Sequence, residues 1–84
     1  MIVIVQVMPK EGILDPQGEA VRRALLQLGH DEVRNVKVGK RIRLELDTDD
    51  RDFALRRAGE MARTLLANPN VETFRLHIED EDAR

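Results

Sequence analysis

A chain of 84 residues with no cysteine, two phenylalanines and no tyrosine or tryptophan has room for one hydrophobic core, and it carries neither a disulfide framework nor a thiolate metal site. The absence of cysteine fits a reducing compartment, so the cytoplasm is the expected location. The formal charge is −2 and uneven: Glu79, Asp80, Glu81 and Asp82 cluster near the end, while residues 1–78 hold 13 bases against 12 acids. Such a balanced body offers little long-range attraction to nucleic acid or to a membrane surface. One domain spanning 1–84 is expected, with 79–84 as an acidic, frayed tail.

Ile2, Val3, Ile4, Val5, Val7 and Met8, bounded by Pro9 and Gly12, read as a strand buried on both faces and central in a sheet. The run is too short to span a bilayer, and no basic stretch precedes it as in a signal peptide. Asp15 followed by Pro16 signals a helix start, and Ala20, Val21, Ala24, Leu25 and Leu28 recur at helical spacing before Gly29, so a helix should run from Pro16 to about Leu28. Val33, Val36 and Val38, a tight turn at Gly39, then Ile42, Leu44 and Leu46 alternating with Arg41, Arg43 and Glu45 predict two strands. Thr48, Asp49 and Asp50 open a second helix with the stripe Ala54, Ala58, Met61, Ala62 and Leu65, closed by Asn68 and Pro69. Phe74, Leu76 and Ile78 alternate with Arg75, His77 and Glu79 in a last, half-buried strand.

The order βαββαβ predicts an α+β, ferredoxin-like fold: a four-stranded antiparallel sheet with two helices on one face. The other face stays open, and the first strand is too apolar to leave it solvated, so the chain is expected to dimerise through the sheet.

No catalytic constellation is legible. Asp49, Asp50 and Asp52 lie in a helix's first turn, where acids cap free N–H groups and meet the positive end of the dipole, a stronger reading than a cation site. His30 and His77 are the two histidines, far apart in the chain and without a serine or cysteine nucleophile. Lys37, Lys40, Arg41 and Arg43 around Gly39 could hold a phosphate or stand as a solvated hairpin, and both readings are open. An RNA-binding sheet needs stacking aromatics on its central strands, which two phenylalanines do not supply. A stand-alone enzyme of the acylphosphatase kind needs an arginine and an asparagine converging on a phosphate loop, and no such loop motif is present. Gly18, in a first helical turn where glycine costs about 1 kcal/mol relative to alanine, marks close packing or the approach of a partner.

The loop Leu14-Asp15-Pro16-Gln17-Gly18, with Ala20-Val21, Ala24-Leu25, Leu28-Gly29, Val36, Gly39-Lys40 and Leu66-Ala67-Asn68-Pro69, resembles the PurS family, the small subunit of phosphoribosylformylglycinamidine synthase in bacteria and archaea. His30 and Asn70 depart from the family's usual aromatic and apolar residues. The resemblance implies a non-catalytic subunit of a ligase complex in purine (IMP) biosynthesis. There a glutaminase subunit releases ammonia, and a large synthase subunit uses it with ATP and magnesium on formylglycinamide ribonucleotide. A dimer of the small subunit, able to pair further into a tetramer, bridges the two and binds no cofactor itself. Asp15, Gln17, Gly18, Gly39, Lys40 and Asn68 are the candidate partner-interface residues. The rival reading is a homodimeric regulatory domain that takes a small anionic ligand between subunits.

Overall fold

The computed structural model describes residues 1–79. Strand β1 (Ile2–Pro9) lies at the centre of a three-stranded antiparallel sheet, flanked by β2 (Lys40–Glu45) and β3 (Glu72–Glu79) in the order β2-β1-β3. The register sets Val5 between Ile42 and Leu76, and Ile4 between Arg43 and His77. Because side chains alternate across a strand, the odd positions of β1 face a helix and the even ones face away.

On the helix face Val3, Val5 and Val7 are fully buried against Ala54, Ala58, Ala62 and Ala67, with Ile42, Leu44, Phe74, Leu76 and Ile78 around them. Each fully buried valine contributes about 1.5–3 kcal/mol. Helix α2 (Arg51–Met61) begins where Asp50 accepts the Phe53 N–H at 3.1 Å, and the Asp50 N–H in turn donates to Thr48 Oγ1 at 3.0 Å. The expected capping role is met at Asp50. Alanines and Gly59 on its buried side let α2 lie close on the sheet. Its last turn is a π-helical segment, Ala62–Leu66, whose extra residue advances the stripe. Leu65, expected on the buried face, is therefore 82% exposed, while Ala67 takes the inward place.

On the opposite face Ile2 and Ile4 are also buried, although no helix among the described residues packs on that face. Arg43 Nε donates to Glu79 Oε2 at 3.0 Å, and Arg41 lies 3.8 Å from Glu79. Since β2 and β3 flank β1, these pairs span the central strand and their aliphatic stems roof its isoleucines. Glu79 is thus part of β3 and not the first residue of a frayed tail; residues 80–84 lie outside the described residues.

Two expectations are corrected. Residues 33–39 form no strand among the described residues, so the sheet has three strands where four were expected, and Gly39 lies in no tight turn. Two N–H groups of that segment bond outside any sheet: Val33 donates to His30 O at 3.3 Å and Val38 to Asp15 Oδ2 at 2.8 Å. Helix α1 (Pro16–Gln27) does not share the sheet's helix face with α2. Gly18 is its one buried residue, Leu25 and Leu26 are half-buried, and Ala20, Val21, Ala24 and Leu28 are exposed. The Cα radius of gyration is 16.1 Å, against about 12 Å for a compact chain of this length, and the body measures 48 × 33 × 14 Å.

Candidate functional site

The C-terminal end of β1 and the first residues of β2 and β3 meet at one end of the sheet, where Val7 pairs with Lys40 and Pro9 with Glu72. Three loops converge there. After β1 the chain reverses through Gly12 at φ +80°, with the Ile13 N–H donating to Lys10 O at 3.2 Å. The Lys10 N–H donates to Val71 O at 2.9 Å, tying in the turn before β3. Lys37 Nζ donates to Ile13 O at 3.2 Å and brings in the segment before β2.

Asp15 organises this knot. Its carbonyl accepts the Glu19 N–H at 2.9 Å, starting α1, while its carboxylate accepts the Val38 N–H at 2.8 Å. That bond, and next the nearby Gly18 N–H, hold the carboxyl below its ordinary pKa against an opposing desolvation, with Lys37 and the Gln17 N–H adding smaller support. Gly18 is buried because a β-carbon there would collide with Val36 O and Asp15 Oδ2. At Gly39 a β-carbon would meet Met8 Sδ and Val7 O. Both glycines are required by close approach.

Asn68 builds the third loop. Its Oδ1 accepts the Asn70 N–H at 3.0 Å, its N–H donates to Glu72 Oε1 at 2.7 Å, and its carbonyl accepts from the Val71 and Glu72 N–H groups. Gln17 and Lys40 are exposed. Five of the six expected interface residues thus have a stated place in this end of the molecule: Asp15, Gly18 and Gly39 in the knot, Lys40 at the head of β2, Asn68 in the turn. Gln17 sits beside them on the first turn of α1.

The basic hairpin does not exist as one cluster. Arg41 and Arg43 pair with Glu79 on the open face, Lys40 stands opposite Val7 on the other face, and Lys37 joins the Asp15 loop. Among the described residues no group of three or more His, Asp or Glu is placed to hold a metal. His30 ends α1 with its N–H on Leu25 O, whereas His77 lies on β3. Sequence reasoning missed a groove of about 490 Å³ at this same end, lined by Gln6, Met8, Lys10, Lys37, Thr73 and Arg75 among others. Its signal was the alternation of Gln6 with Met8 and of Thr73 with Arg75, legible only once the β1–β3 register is known.

A family model described as PurS, phosphoribosylformylglycinamidine (FGAM) synthase, matches residues 2–80. The chain belongs to this family. The phosphoribosylformylglycinamidine synthase subunit PurS of Bacillus subtilis (strain 168) is 41% identical over 71 residues, 84% of this chain and 83% of that protein. A crystal structure of B. subtilis PurS superposes with a TM-score of 0.82 at 40% identity, covering 94% of this chain and 98% of that one. A chain in the structure of PurLQS from Thermotoga maritima gives a TM-score of 0.80 at 26% identity, covering 90% of this chain and 93% of its own length. Family membership accounts for the shared three-stranded α+β scaffold. Among the described residues no helix is long and apolar enough to cross a membrane.

Proposed function

We propose that this chain is a single-domain, non-catalytic subunit of a phosphoribosylformylglycinamidine synthase complex in purine biosynthesis. It works in the cytoplasm as a bridge between a glutaminase subunit and a large synthase subunit. The observation that carries this reading is the family match across residues 2–80. Ammonia released at one active site and consumed at another must be kept from bulk water and acid, which calls for a maintained interface between the subunits. ATP and magnesium serve the synthase subunit, and this chain binds no cofactor of its own.

The bridge is a homodimer formed through the sheet. Leu14, Gln17, Val21, Ala24 and Leu28 alternate at spacings of three and four along α1, a stripe suited to packing, and Leu14 and Leu28 are 81% and 74% exposed. Beside α2 the β2 side of the sheet's helix face leaves Ile42, Leu44 and Leu46 half-buried. The α1 stripe of a second copy laid on that side covers both, and the extended body becomes compact as a pair. Of the six interface residues, Asp15, Gly18, Gly39 and Asn68 shape the end of the sheet, while Gln17 and Lys40 are exposed to touch a partner subunit.

Reconstitution with purified glutaminase and synthase subunits tests the function. Glutamine-dependent synthesis requires this chain, whereas synthesis from added ammonium does not. Undiminished glutamine-dependent activity in its absence would overturn the reading.

A further inference from the structure

The groove at the knotted end of the sheet lies on the open face, away from α2. Gln6 and Arg75 are cross-strand partners, as are Met8 and Thr73, so these four side chains form its floor. Lys10 and Glu11 from the loop after β1, and Lys37 from the segment before β2, stand at its walls. Arg75 and Lys10 make no side-chain hydrogen bond or ion pair among the described residues. Lys37 spends one donor on Ile13 O and keeps two. Three cations from three separate elements therefore converge beside one lining acid, Glu11, with the Asp15 carboxylate near Lys37 as a second, a local excess of one positive charge.

We propose that this groove binds a phosphate monoester of a small hydroxyl-bearing compound, a sugar phosphate. Lys10 and Arg75, the two lining cations without an ion pair or side-chain hydrogen bond among the described residues, favour a group of this charge, about −1.5 to −2 at neutral pH. The Arg75 guanidinium offers paired donors in the geometry of two phosphoryl oxygens, and the lysines act as point charges beside it. The Gln6 amide and the Thr73 hydroxyl supply neutral donors and acceptors for sugar hydroxyls, and Met8 and Pro9 give an apolar wall. A space of about 490 Å³ falls in the usual range for small-molecule sites, about 300–1,000 Å³. The site goes beyond the bridging role, and its neighbourhood to the Asp15 knot would let an occupant stiffen the three loops that converge there.

The test uses the full chain in about 0.15 M salt, where non-specific attraction is screened, and follows backbone amide shifts while ribose 5-phosphate or ribose is added. Saturable shifts at Lys10, Thr73 and Arg75 are expected with ribose 5-phosphate and none with ribose. Arg75→Gln and Lys10→Gln should each weaken binding by about tenfold. Arg75→Lys should recover part of the loss, and Arg51→Gln, on the far side of the sheet, should change nothing. Affinity should fall as the pH drops below about 6, where the phosphate takes up its second proton. Shifts that grow linearly without saturating, or binding unchanged in Arg75→Gln with its fold intact, would overturn the proposal. Neither result involves the partner subunits, so the bridging role would stand.

Discussion

The two helices share a chain and a similar length but not a similar fate. On α2 the inward positions are Ala54, Ala58, Gly59 and Ala62, small enough to bring the helix onto β1 until the valines beneath are sealed. On and beside α1 the corresponding stripe carries Leu14, Val21 and Leu28, bulky side chains left exposed among the described residues. Small residues close a core inside one copy, and large ones left outside call for a second. In the proposed dimer, what stabilises the fold and what assembles it are thus carried by different helices.

A matched pair of substitutions breaks or sharpens that contrast. Ala58→Glu buries an unpaired charge and should cost several kcal/mol, enough to leave no cooperative thermal transition. Ala24→Glu, on the exposed stripe, should change chain stability by less than about 0.5 kcal/mol in a monomeric background while abolishing dimers in sedimentation equilibrium. A dimer that survives Ala24→Glu and Val21→Asp together would show that α1 is not the assembly helix. Next in size, Gly18→Ala should lower stability by about 1–3 kcal/mol, because the new methyl forces Val36 and the Asp15 carboxylate apart. Chemical denaturation would read this loss, and a smaller effect would mean that the knot can shift. Asp50→Ala removes the cap on Phe53 N–H and should cost about 1 kcal/mol, measured the same way.

The smallest effect is a slope. The carboxyl of Asp15 has its folded-state pKa held down by the Val38 and Gly18 N–H groups, so its contribution is fully present above the unfolded value near 4 and is lost as pH falls through the folded value. Asp15→Asn should flatten the acid limb of the stability curve below about pH 4. An unchanged limb would mean that the Asp15–Val38 bond adds nothing in solution.

Local pattern was enough for β1, for both helix starts and for the alternation in β2 and β3, because each is written in adjacent residues. Asp15-Pro16 predicted the start of α1, and Asp50, one of the residues expected to open and cap the second helix, caps α2. The stretch 33–39 was misread because Val33, Val36 and Val38 lack a regular period of two, and because its Val38 N–H is taken by Asp15 from more than 20 residues away. The π-helical turn was equally hidden, since Leu65 and Leu66 are alike in composition and only the packing on the sheet decides which one turns inward. At the end where the loops converge, Gly18 was legible as an odd residue in a first helical turn, while Gly39 read as a turn and Asn68 as a helix stop. The convergence of Lys10, Lys37 and Arg75 was not legible, for it exists only after three loops have been brought together.

The strand order carries a further consequence for how the molecule comes into being. β1 is the most apolar segment and precedes both of its neighbours in the chain, yet it sits between them, and its pairing with β3 joins Ile2 to Glu79. Until β2 and β3 arrive, a run of β-branched residues has two unsatisfied edges, a state prone to misassociation. Because these pairings are remote in sequence, their closure entropy must be met before the contacts reward it, and folding should be slow for so small a protein. Chaperone dependence during synthesis would then be set by this one strand, whatever the stability of the finished fold.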